Sequence, residues 1–119
     1  MKKNNVAETA PNHADERLRD RRYSRRVDEI AALLRQLATG MTRWRFTGYD
    51  PATGIVTLEH DTPIITFTDD ITLRLREEKG ETIVSGRSAS RVGSYDFGMN
   101  ARNLRSILGA LDSANQRES

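Results

Sequence analysis

Two runs of apolar–polar alternation, Arg43–Tyr49 and Ile55–Asp61, are joined by Asp50-Pro51-Ala52-Thr53-Gly54, and one register satisfies both faces. Asp opens such a turn, Pro fixes φ and Gly takes a positive φ. The five-residue loop sets Trp44 opposite His60 and Phe46 opposite Leu58. On the other face it sets Arg43 opposite Asp61, Arg45 opposite Glu59 and Thr47 opposite Thr57. Each is a favourable cross-strand pair. A chain with this hairpin must supply an apolar layer to cover Trp44, Phe46, Val56 and Leu58.

More strand signals follow. Pro63–Thr68 is a short apolar segment in which Ile65 and Phe67 are expected to be buried. Ile71, Leu73 and Leu75 alternate with Thr72, Arg74 and Arg76. A two-residue Lys79-Gly80 hairpin loop then sets Leu75 opposite Val84 and Arg74 opposite Ser85. Arg87 becomes a diagonal neighbour of Arg74 on the outward face.

Two helical stripes flank these strands. Val27, Ile30, Ala31, Leu34, Leu37 and Ala38 recur at helical spacing, with Ser24 as N-cap and Gly40 just past the end. Ala101, Leu104, Ile107, Leu108 and Leu111 form a second stripe, with Asn100 as N-cap and Met99 stapled to Leu104. The predicted class is α+β: a two-layer sandwich, with an antiparallel sheet of four to five strands and an N-terminal and a C-terminal helix packed on one face.

The 119 residues suffice for one domain. Residues 1–22 hold few large apolar side chains and are expected to form a flexible charged tail; residues 23–112 form the domain and residues 113–119 a polar tail. Without Cys, thiolate chemistry and Cys-based metal sites are excluded, and with only His13 and His60 most zinc and triad readings are weakened. No cofactor and no metal site is expected. No run is long and apolar enough for a membrane span, and no secretory leader opens the chain, so a cytoplasmic location is expected.

Candidate chemistry gathers around residues 87–100. Sixteen Arg stand against three Lys, and Arg offers a planar fork for carboxylate and phosphate. Arg43, Arg45, Arg74, Arg76 and Arg87 on the outward face outnumber Glu59 and Asp61, which points to an anionic ligand or an acidic protein partner. Arg87, Ser88, Ser90 and Arg91 lie at a strand end and could hold an anion through charge-assisted bonds. Equally, Asp70 or Asp96 could pair with one Arg while the hydroxyls satisfy loop backbone. Tyr49 is the one stacking candidate on that face, which argues against nucleic acid. Asp69-Asp70 reads as a turn before a strand, and His60 as a packing histidine beside Trp44. No catalytic residue is assigned.

The same residues carry a resemblance. Thr66-Phe67-Thr68-Asp69-Asp70-Ile71-Thr72-Leu73-Arg74 is similar to the F-x-D-D-hydrophobic-x-hydrophobic-R segment of the bacterial and plastid family called domain of unknown function 1499. Arg87-Ser88-x-Ser90-Arg91-Val92-Gly93-x-x-Asp96-x-Gly98-x-Asn100-Ala101 resembles its signature. The resemblance is specific over residues 66–111 and compatible back to about Tyr23. The resemblance marks residues to test without saying what they do: Arg74, Arg87, Ser88, Ser90 and Arg91 are the binding candidates, and Asp69, Asp70, Gly93, Asp96, Gly98 and Asn100 the structural signature, in which Asp96 and Asn100 are expected to brace the loop and the helix start. The family implies no settled activity. Three readings stay open: a non-catalytic binding module, an enzyme for a phosphorylated or carboxylated substrate, and a structural subunit.

Overall fold

The alternating runs and the two stripes form the elements their periods require. The computed structural model describes residues 5–63, 67–93 and 96–117. Ile65, expected in the core, lies outside them, as do residues 1–4, 118 and 119 of the expected tails. The order is β1 (Val6–Glu8), a turn of 3-10 helix (Glu16–Leu18), β2 (Arg21–Tyr23), α1 (Val27–Gly40), β3 (Trp44–Asp50), β4 (Ile55–Asp61), β5 (Thr68–Glu78), β6 (Glu81–Ser90) and α2 (Met99–Arg117).

The β3–β4 register holds from Trp44 opposite His60 to Phe46 opposite Leu58. Gly48 then faces Thr57, so Thr47 is the extra residue of a bulge, although its hydroxyl still donates to Thr57 Oγ1 at 2.9 Å. Arg43 lies ahead of β3 with φ 67°, and the Asp61 side chain pairs with Arg45 rather than with Arg43. The β5–β6 hairpin has the expected pairs, Leu75 with Val84 and Arg74 with Ser85. Lys79 and Gly80 both take positive φ, 53° and 78°, the type I′ geometry that suits a two-residue hairpin.

The sheet has six antiparallel strands rather than four or five, in the order β1-β6-β5-β4-β3, with β2 also on β6. β1 faces Arg87–Ala89 and β2 faces Thr82–Val84, so the two short strands share one edge of β6 in tandem. Over residues 5–22, the described part of the expected tail, the chain is thus docked on the sheet. The β6 edge takes the backbone of β1 and β2, the stretch between them bonds to itself, as in Ala10 to Leu18, and Leu18 and Tyr23 are buried in the core. Tyr23 also donates from its hydroxyl to Asp112 at 2.5 Å. Too few apolar residues to fold alone are enough when a neighbouring edge supplies the hydrogen bonds.

Both helices bury their stripes in the same core as Val56, Leu58, Ile71, Leu73, Leu75 and Val84 of the sheet. The first helix is not N-terminal in the fold, since β1 and β2 precede it. It starts later than expected, with Arg26 at the N-cap position and its amide donating to Glu29 at 3.2 Å; Ser24 turns to Glu81 instead. Gly40 is the last helical residue, and Met41 caps the end. The second helix continues through Ala114, which is buried, to Arg117, where a polar tail was expected. Asn115 accepts from Arg25 Nε at 2.7 Å, which ties that last turn to the start of the fold.

Candidate functional site

One row of side chains crosses the core face at its end near the start of α2. Trp44 lies opposite His60, His60 opposite Asp69, and Asp69 opposite Ser90. Asp69 and Asp70 are both within β5, not in a turn before it. Alternation puts Asp69 on the face shared with Ile71 and Leu73, where the residue is almost wholly buried. Burial pushes its carboxyl above the ordinary value, against the pull of hydrogen bonds from Asn103 and Ser90. His60 packs on Trp44, with ring centroids 5.1 Å apart, and burial lowers its basicity.

The start of α2 closes a polar ring over this row. The Asn100 amide donates to Ser90 Oγ at 2.9 Å, and Ser90 hydrogen-bonds Asp69. Asn103 Nδ2 donates to Asp69 at 2.8 Å and to Ser88 Oγ at 3.2 Å. The Ser88 hydroxyl donates back to Asn100 Oδ1 at 2.6 Å. Asp96 completes the surround: its carboxylate accepts from the amides of Gly98 at 2.8 Å and Asn100 at 3.1 Å, and from Asn100 Nδ2 at 2.7 Å. Asp96 therefore does the capping expected of Asn100, which is fully buried in the first turn of the helix. Asn100 Nδ2 also reaches the Asn5 carbonyl at 2.8 Å, pinning the start of β1.

A cleft of about 440 Å³ opens beside this ring, with Asp69, Ser90 and Asp96 at its polar end. Its walls include Phe67, Val92, Phe97 and Met99. Among the described residues, the large apolar side chains left exposed are Phe67 (43%), Val92 (57%) and Phe97 (88%), and all three line this one cleft. Phe67 was expected in the core. It precedes β5 instead, outside the alternation that would have turned it inward.

The arginines lie on the opposite, outer face. Arg91 forks onto Asp70 at 2.9 and 2.7 Å and reaches Glu59 at 2.5 Å. Arg45 takes Glu59 at 3.0 Å and forks onto Asp61 at 2.7 and 2.9 Å. Two guanidiniums thus meet three carboxylates, leaving this part of the face negative rather than positive. Arg45 and Thr68 together hold Asp61 down to about 2, and Arg91 holds Asp70 below its usual value. Arg87 lies 3.3 Å from Glu8, a partner supplied by β1. Arg74 is exposed on β5, with no carboxylate in ion-pair reach among the described residues.

The family described as "Protein of unknown function (DUF1499)" matches residues 1–111. The chain belongs to this family. No curated protein matches the DUF1499 chain. Among solved structures it is similar to the crystal structure of CalU16 from Micromonospora echinospora, at 15% identity and TM-score 0.48, over 95% of this chain and 88% of that one. No helix among the described residues of the DUF1499 chain is long and apolar enough to cross a membrane, and no group of three or more His, Asp or Glu side chains there could hold a metal ion.

The sequence-predicted residues of this DUF1499 chain thus divide three ways. Ser88 and Asn100 are sealed inside the ring. Ser90, Asp69, Asp96 and Gly93 line the cleft, while Gly98, with φ 78°, leads into α2. Arg74, Arg87, Arg91 and Asp70 face outward, away from it. Sequence reasoning missed Val92, Phe97, Met99 and Asn103. The available signal was the setting of Val92 and Phe97: single apolar residues in a polar, glycine-bearing loop with no period to bury them.

Proposed function

We propose that this chain is a non-catalytic binding module, and that its ligand occupies the cleft beside the signature loop rather than the arginine face. The observation that carries this reading is the convergence of Phe67, Val92 and Phe97 on one concave site with a polar end. Scattered exposed apolar residues need no explanation, but a cluster of them around a cleft marks a contact surface. Its volume falls within the roughly 300–1,000 Å³ usual for small-molecule sites. An apolar ligand body would rest on these three side chains, and a polar end would meet Asp69, Ser90 and Asp96.

The anion reading of the Arg/Ser loop loses support here. Ser88 is inaccessible, and Arg91 already has two carboxylates. Arg74 and Arg87 remain on the outer face, but they line no common cleft with the rest of the signature. An enzyme for a phosphorylated or carboxylated substrate fits less well still, since no Arg or Lys is among the described residues that line the cleft.

Proton–nitrogen correlation spectra with a panel of small apolar molecules test the reading. Saturable shifts are expected at Thr62, Phe67, Val92 and Met99. Phe97→Ser should weaken binding about tenfold while leaving the melting temperature nearly unchanged, because the ring is mostly solvated. Absence of saturable shifts across the panel, or equal affinity in Phe97→Ser, would overturn it.

A further inference from the structure

The charges around the cleft carry a statement about its occupant. Among the described residues, its lining holds two carboxyl groups, Asp69 and Asp96, and no Lys, Arg or His. Their hydrogen bonds come from neutral donors: Asn103 and Ser90 on Asp69, and Asn100 with two backbone amides on Asp96. Such donors stabilise a carboxylate but leave its charge in place. A carboxylate has about four acceptor sites, so both groups retain capacity.

The contrast with the other face is direct. There Asp61, Asp70 and Glu59 are each in contact with a guanidinium. Among the described residues, the group of opposite tendency that faces Asp69 across the β4–β5 ladder is His60, whose basicity burial lowers. Asp61 beside it is already committed to Arg45. Asp69 and Asp96 repel one another, and Asp96 adds to the burial that lifts Asp69. A buried carboxyl with a second carboxyl beside it and no facing guanidinium among the described lining residues is a standing cost that a bound cation removes.

We infer that the ligand of this cleft is a cationic amphiphile: an apolar body against Phe67, Val92 and Phe97, with a protonated amine directed at Asp69 and Asp96. The inference rests on the cleft reading above and adds to it the charge of the head group. An ammonium supplies up to three donors, enough to engage both carboxylates and Ser90. A carboxylate or phosphate head would meet two carboxyl groups and, among the described lining residues, no cation.

Three probes of one chain length separate the ideas: octylammonium, octanol and octanoate, titrated into the full chain and followed by the same amide shifts. Octylammonium is expected to bind at least about tenfold more tightly than octanoate, with octanol between them. Added salt should narrow the gap. Asp69→Asn should shrink the preference for octylammonium over octanol. Where that variant does not fold, the series on the unaltered chain decides alone. If octanol binds at the cleft and octylammonium binds no better than octanoate, the charge inference fails and the cleft reading stands. If none of the three shifts these residues, both fail.

Discussion

Replacing Asn100 by Ala removes, in one step, the acceptor of the Ser88 hydroxyl and the donor to Ser90, Asp96 and the Asn5 carbonyl. Each buried group left without a partner costs about 1–3 kcal/mol, so Asn100→Ala should lower stability by about 2–4 kcal/mol in a urea titration. Arg91→Ala, on the wet outer face, should move the urea midpoint little, because exposed ion pairs are weak. Their order of importance is the reverse of what the sequence implies. Arg91 stands out in a sequence because it is charged, whereas Asn100 gains its weight from four groups brought to it by the fold, one of them at residue 5. That last partner is the part no local pattern could contain. Asp61 adds a pH dependence. Its carboxyl is depressed to about 2 against an ordinary 3.8, so its contribution is complete above the ordinary value and is lost as pH falls through the depressed one. The urea midpoint should therefore drop between about pH 4 and pH 2, and Asp61→Asn should flatten that limb. Asp69 acts in the opposite sense. Raised by burial, it contributes most below its ordinary value, and that contribution is lost as pH rises through the raised one.

At the scale of elements, what was legible follows from period. The β3–β4 and β5–β6 hairpins, the α1 stripe and the α2 stripe all repeat at two or about 3.6 residues, and their turns hold the residue types such turns need. What escaped has no period. β1 and β2 are three residues each, and their stability lies in the edge of β6 rather than in their own side chains. The Thr47 bulge escaped because the hydroxyl pair with Thr57 survives the shift in register. Deleting residues 1–9 removes β1, the Glu8 partner of Arg87 and the carbonyl held by Asn100. The melting temperature is expected to fall by at least about 5 °C, the scale of 1 kcal/mol in a small domain. An unchanged melting curve would return that segment to the status of a tail.

For the molecule as a whole, one core joins both helices to the sheet. Leu73→Ala and Leu104→Ala should each cost about 2–5 kcal/mol in denaturant titrations, the range for a fully buried Leu. The core was legible because its members lie on regular elements; the cleft was not, because its walls come from a loop and from the segment before β5. The net charge of +2 likewise hides a division, with arginines massed over residues 17–26 while the cleft is acidic.

The tandem strands on β6 carry a consequence for how the chain comes to be folded. β1 and β2 leave the ribosome before the strand that receives them, residues 81–90, and before residue 100, whose amide clamps Asn5. β1 and β2 must wait for their edge partner until β6 has been made. Contacts this distant in sequence slow folding, because a long loop must close before they repay it. Meanwhile β6 shows a bare edge that a neighbouring nascent chain could occupy. Segments made before β6 are placed only after it, and they act as the latch that takes that edge out of reach.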